Sequence, residues 1–490
     1  MPVDIVMTGF TGGDLVRFLP EIVLTAMGTL LMVLDPLLGK RRPAAFGHLS
    51  LAALVAGIAG AALAYMHGGL AFGGMLRVDA FATFFRVLVM GVGILTVLPS
   101  YSFLKRQQAE AGEFHALLLF SIAGQSMMAA ANDLIVIFIG LEISSIASYV
   151  LAGYLRDDRR SNEAALKYFL LGSFATAFFL YGVAVVYGCT GTVNLTTVRA
   201  LLATSGSAGG TLMGAAAALM FVGLGFKVSA APFQMWAPDV YQGAPTPVSA
   251  FLSAGPKAAA FAVFLRIFMT AFAPLGRAWE PLMWMAALAS MTIGNFAALR
   301  QTNLKRMLAY SSIAHAGYVL VALRARSEAG VAATMFYLAV YAFMNIGAFA
   351  VVSHISGRGE RRQSIDDLAG LGQTQPFTAA MLGIFLLSLI GVPPAAGFFG
   401  KFYIFKAALE SHLVWLTVLG LLNSAVAAYY YLRLLVAMYF RDPADGTAAV
   451  EPLTPAFRVA LILPAVGTLA LGLVPSWVLD FASKSAALLK

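Results

Sequence analysis

Hydrophobic residues run along this chain in blocks of about twenty, too long for alternating strands or for the narrow apolar stripe of a water-soluble helix. The blocks fall near residues 18–38, 45–66, 78–99, 112–129, 132–154, 163–188, 211–230, 247–273, 280–299, 303–324, 328–355, 376–412, 414–440 and 456–480. A backbone in hydrocarbon must satisfy its own hydrogen bonds, so blocks of this length predict helices that cross a bilayer. The expected fold is an all-α polytopic membrane protein, one membrane domain over 1–490, with about 14 transmembrane helices. Two of them are expected to be broken. Block 376–412 is too long for one helix and contains Gly391-Val-Pro-Pro-Ala-Ala-Gly397, whose prolines interrupt the hydrogen-bond ladder and free carbonyls. The seventh block is cut at Ala231-Pro232.

The polar positions between blocks set the orientation. Alternate loops carry Lys40-Arg41-Arg42, Lys105-Arg106, Arg156 with Arg159-Arg160, Arg300 with Lys305-Arg306, Arg358 with Arg361-Arg362, and Arg441. The intervening loops hold only Arg77, Arg199, Arg277, Arg324 and Arg326. The positive-inside rule makes the first set cytoplasmic, and an even number of spans then puts both termini outside. The net charge of +9 therefore reads as topology, with the lipid bilayer as partner and no nucleic acid. No Lys or Arg precedes Arg17, so the first block lacks the basic flank of a cleavable signal and is expected to stay as a helix. The single cysteine, Cys189, excludes an internal disulfide, a Cys-ligated cluster and a structural zinc site, and reads as a small packing residue near a helix end. No Walker loop, dinucleotide fingerprint or metal-ligand spacing is present, so ATP-driven pumping by this chain alone is not expected.

An internal repeat emerges from the same blocks. Ser144-Ser-Ile-Ala-Ser-Tyr149 resembles Ser311-Ser-Ile-Ala-His315-Ala-Gly-Tyr318, and Phe226-Lys227 near one break corresponds loosely to Gly400-Lys401 beside the other. Five helices separate corresponding positions, an odd number, which implies two inverted five-helix repeats of the kind that meet at broken helices near the midplane. The segments are an N-terminal three-helix part (1–111), a first repeat (112–273), a second repeat (280–440) and a C-terminal helix (441–490).

Charges inside the blocks are the candidate chemistry. Lys257 lies in a stretch otherwise free of charge, ten residues after Pro247 and so about 15 Å deep in a helix. A cation at that depth is expensive and normally marks an ion or proton path. Lys227 just before one break and Lys401 just after the other need a wet or protein-lined surrounding for the same reason. A snorkelling lysine at a helix end is the plainer alternative for each. Lysine suits proton exchange because burial brings its proton affinity toward neutrality. Glu142, nine residues beyond Asp133, is an acidic partner whose charge would control a nearby lysine. Lys167 follows Glu163 by four residues, a spacing that also makes an ordinary interfacial pair. His315 is a candidate relay or a carbonyl-bonded core histidine. Asp79, Asp133 and Lys406 read as interfacial charges, and Met235 to Pro247 as a rigid turn rich in Pro, Gly and aromatics.

The run Gly225-Phe-Lys-Val-Ser-Ala-Ala-Pro-Phe-Gln-Met-Trp-Ala-Pro-Asp-Val-Tyr-Gln-Gly-Ala-Pro-Thr-Pro-Val-Ser-Ala-Phe-Leu-Ser-Ala-Gly-Pro-Lys257 resembles the signature of the antiporter-like membrane subunits of respiratory complex I and of Mrp-type cation/proton antiporters. Leu141-Glu142 with Tyr149, Ala165-Leu-Lys167-Tyr-Phe-Leu-Leu-Gly172 and Gly397-Phe-Phe-Gly-Lys401-Phe402 fit the same family. Length, span number and a lysine at 401 resemble its N-type members; M-type members carry glutamate there, and L-type members a further lateral helix. Gln234 departs from the family, where many members have histidine.

The resemblance implies a proton-translocating subunit of a redox-driven NADH–quinone oxidoreductase in the bacterial plasma (inner) membrane. In it Glu142 and Lys227 form an ion pair that Lys167 modulates, Lys257 is the central lysine, and Lys401 is the terminal donor. His315 or water would substitute for the missing histidine. It further implies no cofactor in this chain, with NADH, FMN, iron–sulfur clusters and quinone in partner subunits. Neighbouring antiporter-like and small membrane subunits are the implied partners. A gradient-powered Mrp-type antiporter subunit is the alternative, and a scaffold with vestigial charges is a third reading.

Overall fold

The structure is a computed structural model that describes residues 11–38, 43–204, 210–443 and 452–487. The expected cytoplasmic cluster Lys40-Arg41-Arg42 lies outside the described residues. A short α1 (Gly12–Arg17) leads into α2 (Leu19–Leu38), α3 (Pro43–His67), α4 (Ala80–Gln107), α5 (Gly112–Ala130), α6 (Leu134–Ala152) and α7 (Arg159–Thr190). There follow α8 (Leu195–Thr204), α9 (Gly210–Val228), α10 (Trp236–Gly243), α11 (Thr246–Phe264), α12 (Gly276–Leu299), α13 (Leu304–Arg324) and α14 (Glu328–Ser356). The chain closes with α15 (Leu371–Thr374), α16 (Pro376–Ile390), α17 (Ala396–Glu410), α18 (Val414–Phe440), α19 (Pro455–Leu473) and α20 (Ser476–Ala487). A two-stranded antiparallel hairpin, β1 (Gly69–Ala71) and β2 (Leu76–Val78), joins α3 to α4.

Eleven helices among the described residues are long and apolar enough to cross a membrane. The blocks at 112–129, 303–324 and 376–412 also fold as helices: α5, α13 and the broken pair α16/α17. Helix starts follow local chemistry. Asp79, Asp133, Asp158, Asn303, Ser327 and Thr454 each accept a backbone N–H from the first turn of the next helix, satisfying donors that the helix leaves over.

Burial separates two kinds of helix. Every residue of α11 is buried and nearly all of α14, so both lie at the centre of the bundle. Helices α2, α3, α7 and α18 present exposed Val, Leu, Phe and Tyr side chains along one side, as a lipid-facing surface does. Apolar character therefore says little about position here, and polarity says more. Three buried ion pairs tie the bundle together. Arg86 of α4 reaches Glu21 of α2 in bidentate fashion, at 2.9 and 3.0 Å, and Ser126 of α5 donates to the same carboxylate. Arg266, in a π-helical turn (Leu265–Ala271) that continues α11, grips Asp79 at 2.9 and 2.8 Å. Lys305 meets Glu360 at 3.1 Å.

Four expectations need correction. Met235 to Pro247 is not only a turn: its middle forms α10, because Trp236 anchors one end by donating its Nε1–H to the Phe226 carbonyl at 2.9 Å. The C-terminal segment, expected to hold one helix, contains α19 and α20, separated at Val474 and Pro475 where proline cannot continue the ladder. Lys305 is not a loop charge, since it lies within α13 and is fully buried. Cys189 is exposed rather than packed.

Candidate functional site

Both breaks occur where expected, and each places one lysine. Helix α9 ends at Val228, one residue after Lys227, and the chain turns through Ser229 to Pro232 before α10. Lys227 is buried, and its ammonium donates to Ser145 Oγ of α6 at 2.6 Å; Ser145 in turn donates to the Leu141 carbonyl. The ammonium also lies over the rings of Tyr149 and Tyr168, 5.2 and 5.5 Å from their centroids. Tyr168 stacks on Trp236 at 4.4 Å, so residues from both sides of the break wall in the lysine. Aromatic faces attract a desolvated cation.

Glu142 is half-buried, and its Oε1 has no hydrogen-bond partner. No ion pair between Glu142 and Lys227 is formed among the described residues; Ser145, one turn further along α6, takes the ammonium instead. The expected contact pair is thus replaced by a lysine–serine contact, with no hydrogen bond from Ser145 to the carboxylate among the described residues. Beside it runs a polar seam: Ser121 contacts Ser144 and Ser148 at 3.2 and 3.1 Å, and Gln125 donates to Ser121 and Ser144. Gln125 closes on Gly255, where a Cβ would stand 2.8 Å from its Oε1, two residues before Lys257. Sequence reading used Ser144 and Ser145 only as repeat markers, although closely spaced hydroxyls inside an apolar block were the available signal.

Lys257 is buried in the middle of α11 and donates to Ser312 of α13, to its carbonyl at 3.0 Å and to its Oγ. A small void of about 10 Å³ beside it is lined by Ser312, His315, Tyr337 and Tyr341. His315 faces the same cavity. Its Nδ1 bonds the Tyr337 hydroxyl at 2.6 Å and its Nε2 the Tyr431 hydroxyl at 3.1 Å, so it is bound to two tyrosines rather than to a carbonyl. Tyr337 packs against Gly400, where a Cβ would come within 2.6 Å of the ring, and the next residue is Lys401.

Lys401 caps the first half of its broken helix. Its ammonium donates to the Leu389 and Ile390 carbonyls at 3.0 and 2.8 Å and to Ser424 Oγ at 2.8 Å, and lies 5.2 Å from the centroid of Tyr318. Those carbonyls end α16 and lack helical partners, and a cation there also meets the negative end of the helix dipole. Gly391 makes the approach possible: its φ of 95° suits only glycine, and an added Cβ would press on the Lys401 side chain at 3.2 Å.

Lys167 does not join this interior. Its ammonium binds Glu163 at 2.7 Å and Asp239 of α10 at 2.8 Å, partly exposed, and Asp239 also receives Arg306 at 2.6 Å. Burial pushes the Asp239 carboxyl up, but the hydrogen bonds and charges of Lys167 and Arg306 outweigh it and hold its pKa below the ordinary carboxylate value. Any influence of Lys167 on the site therefore passes through α10, since its partner is Asp239 and not Glu142. Gln234 has no hydrogen-bond partner at its Oε1, and the two ring nitrogens of His315 are bonded to Tyr337 and Tyr431.

The described residues thus bring Lys227 to Ser145, one turn from Glu142, and Lys257 to Ser312 beside the cavity that His315 and Tyr337 line, with Lys401 held separately on the end of α16 and Ser424. No direct hydrogen bond among the described residues joins Lys227 to Lys257. Among the described residues no group of three or more His, Cys, Asp or Glu is placed to hold a metal ion.

Known proteins resemble this chain over nearly its whole length. NADH-quinone oxidoreductase subunit N 1 of Solibacter usitatus (strain Ellin6076) is 72% identical over 490 residues, covering 100% of both chains. NADH-quinone oxidoreductase subunit N of Trichlorobacter lovleyi is 44% identical, covering 96% of each. Among solved structures, a chain of respiratory complex I from Thermus thermophilus is 37% identical, with a TM-score of 0.81 over 95% of this chain and 99% of that one. A chain of the Mrp complex from Dietzia sp. DQ12-45-1b superposes with a TM-score of 0.85 over 98% of each, at 21% identity, a likeness of fold alone. Residues 131–427, from the start of the polar seam's helix to the helix that supplies Ser424, match the family described as NADH:quinone oxidoreductase/Mrp antiporter, TM. The chain is a multi-pass membrane protein and belongs to that family.

Proposed function

We propose that this chain is the N-type, proton-translocating membrane subunit of a NADH–quinone oxidoreductase. It moves protons through Lys227, Lys257, His315 and Lys401 under control of Glu142. The carrying observation is the interior line of amines. Three lysines deep in apolar helices each meet a hydroxyl rather than a carboxylate, so none is locked in a contact ion pair. Such a group exchanges a proton when a neighbouring charge moves.

In the cycle, quinone reduction in partner subunits changes the charge next to Glu142. The ammonium of Lys227 loses support and passes its proton inward. Lys257 takes it, His315 and Tyr337 carry it on, and Lys401 releases it toward the outer side. Lys167 tunes the position of α10 from the surface. Flavin, iron–sulfur and quinone chemistry belong to partner subunits in this reading. This chain's partners are neighbouring antiporter-like and small membrane subunits of the complex.

The proposed setting is the bacterial inner membrane with both termini outside. The segments 112–273 and 280–440 serve as inverted repeats, and 1–111 and 441–490 flank them. The Mrp-type alternative rests on the shared family and a structural likeness at 21% identity, whereas relatives covering the full length carry the subunit N name. The test is proton flux by the purified complex in proteoliposomes, with and without quinone, for wild type and for Lys257→Met. Loss of flux with normal assembly supports the relay. A wild-type ratio of protons to electrons in Lys257→Met sinks it.

A further inference from the structure

Outside the relay, Lys305 is a lysine in a buried ion pair with no exposed side-chain surface, two helical turns before Ser312 on α13. It donates to the Ala244 carbonyl at 2.5 Å, just past the end of α10, and to Glu360 Oε2 at 3.1 Å. The other oxygen of Glu360 accepts the backbone N–H of Thr246 at 2.9 Å, and the Thr246 hydroxyl. Thr246 opens α11, which has no side-chain cap of its own from Pro245. The pair therefore closes the end of one helix and the start of the next, the cation on a carbonyl and the anion on an N-terminal amide. Both placements follow the helix dipoles.

The two charged residues stand on one platform. Glu360 comes from the turn after α14, where Gly357, Gly359 and Glu360 itself all have positive φ, 67°, 70° and 49°. For glutamate that conformation is unfavourable and persists only where its surroundings fix it. They do so through α13: Leu304 N–H donates to the Gln363 carbonyl at 2.6 Å, Ile365 N–H to Thr302 at 2.9 Å, and Asn303 to Gln363 at 3.0 Å. Arg306, next along α13, holds Asp239 of α10.

We propose that Lys305 and Glu360 form a positioning clamp that sets the register of α11 against α13 and so keeps Lys257 on Ser312. The inference rests on the relay reading above and assigns it two further residues. Helix α13 touches the α10–α11 strand of chain at two levels, through Lys305 at one end and Ser312 seven residues on, a rise of about 10 Å. Two fixed points prevent sliding; one does not. The clamp also carries a surface signal inward, because Lys167 and Arg306 share Asp239 on the helix that Lys305 closes.

The test uses the intact complex in proteoliposomes, reading protons moved per electron from pH 6 to 9. The variant Lys305→Met with Glu360→Gln removes both charges together, so no buried charge is left alone, and glutamine still accepts from Thr246. A misplacement of about 1 Å can cost on the order of 100-fold in a positioned reaction, so a fall of at least about tenfold is expected, with a displaced pH profile. Exchanging the two charges, Lys305→Glu with Glu360→Lys, should not restore coupling, since each charge would face the wrong helix end. Wild-type coupling and pH profile in the assembled neutral variant overturn the clamp, as does full rescue by the exchange. If the neutral variant does not assemble, Thr246→Val, which removes only the hydroxyl bond to Glu360, is measured in its place, and an unchanged profile overturns the clamp equally. Lys257→Met in the same assay separates the two ideas: if it stops pumping while the clamp variants pump normally, only the clamp fails.

Discussion

Replacing Lys401 by arginine separates the two things that its ammonium does. The wild-type group makes three charge-assisted hydrogen bonds, two of them to the carbonyls that end α16. Bonds to a charged group are each worth about 1.5–3 kcal/mol net, roughly 5–9 kcal/mol together before the cost of holding a cation out of water. An arginine keeps the positive charge and several donors, so much of that capping is retained and assembly is expected to survive. What arginine lacks is a neutral state, because its pKa exceeds about 12. A proton arriving from His315 would then have no acceptor. The expected result is assembled complex with coupled proton flux reduced by at least about tenfold, equivalent to about 1.4 kcal/mol added to the limiting barrier. The assay is the ratio of protons moved to NADH oxidised in proteoliposomes, with a protonophore control for the redox reaction itself. Lys401→Met supplies the complement, losing both capping and exchange. An arginine variant that pumps at the wild-type ratio would refute the reasoning, because a fixed charge would then suffice.

Other outcomes follow from the same geometry. Ser145→Ala removes the hydrogen-bond partner of Lys227, and flux should fall while Glu142→Gln in the same background adds little further, a non-additivity readable from the double-mutant cycle. Arg86→Met leaves Glu21 buried with only Ser126, so thermal stability in detergent should drop by about 3–5 kcal/mol, and adding Glu21→Met should recover most of it. The Asp239 carboxyl is held below its unfolded value, so its ties to Lys167 and Arg306 act in full above about pH 4 and vanish as pH falls through the lowered pKa. The melting-temperature gap between wild type and Asp239→Asn should therefore be constant from pH 5 to 8 and close on acidification; a gap that widens in acid contradicts the assignment. Cys189, exposed at the end of α7 opposite Arg159 and Arg160, should react with a membrane-impermeant thiol reagent from the outer side only.

Most of the long helices, the two breaks and the placing of the lysines within apolar helices were readable along the chain, whereas α10 and the split of α19 from α20 were not. Hydrocarbon permits few backbone solutions, so twenty apolar residues become a helix and a proline pair breaks one, whatever surrounds them. Contacts between helices were not readable, because each depends on which faces meet. The sequence offered Glu142 as the partner of Lys227, but the rotation of α6 against α9 puts Ser145 there. It offered Lys167 as a modulator of that pair, whereas its place on α7 gives it to Asp239. It read Lys305 as a surface charge because lysine followed by arginine at a helix start is ordinary topology; only a turn more than fifty residues later brings Glu360 to bury it. Composition and order along one dimension thus determined which segments are apolar helices and which of them carry a charge. Packing in three dimensions decided which charge answers which, since a hydrogen bond tests separations below about 3 Å that no spacing along the chain encodes.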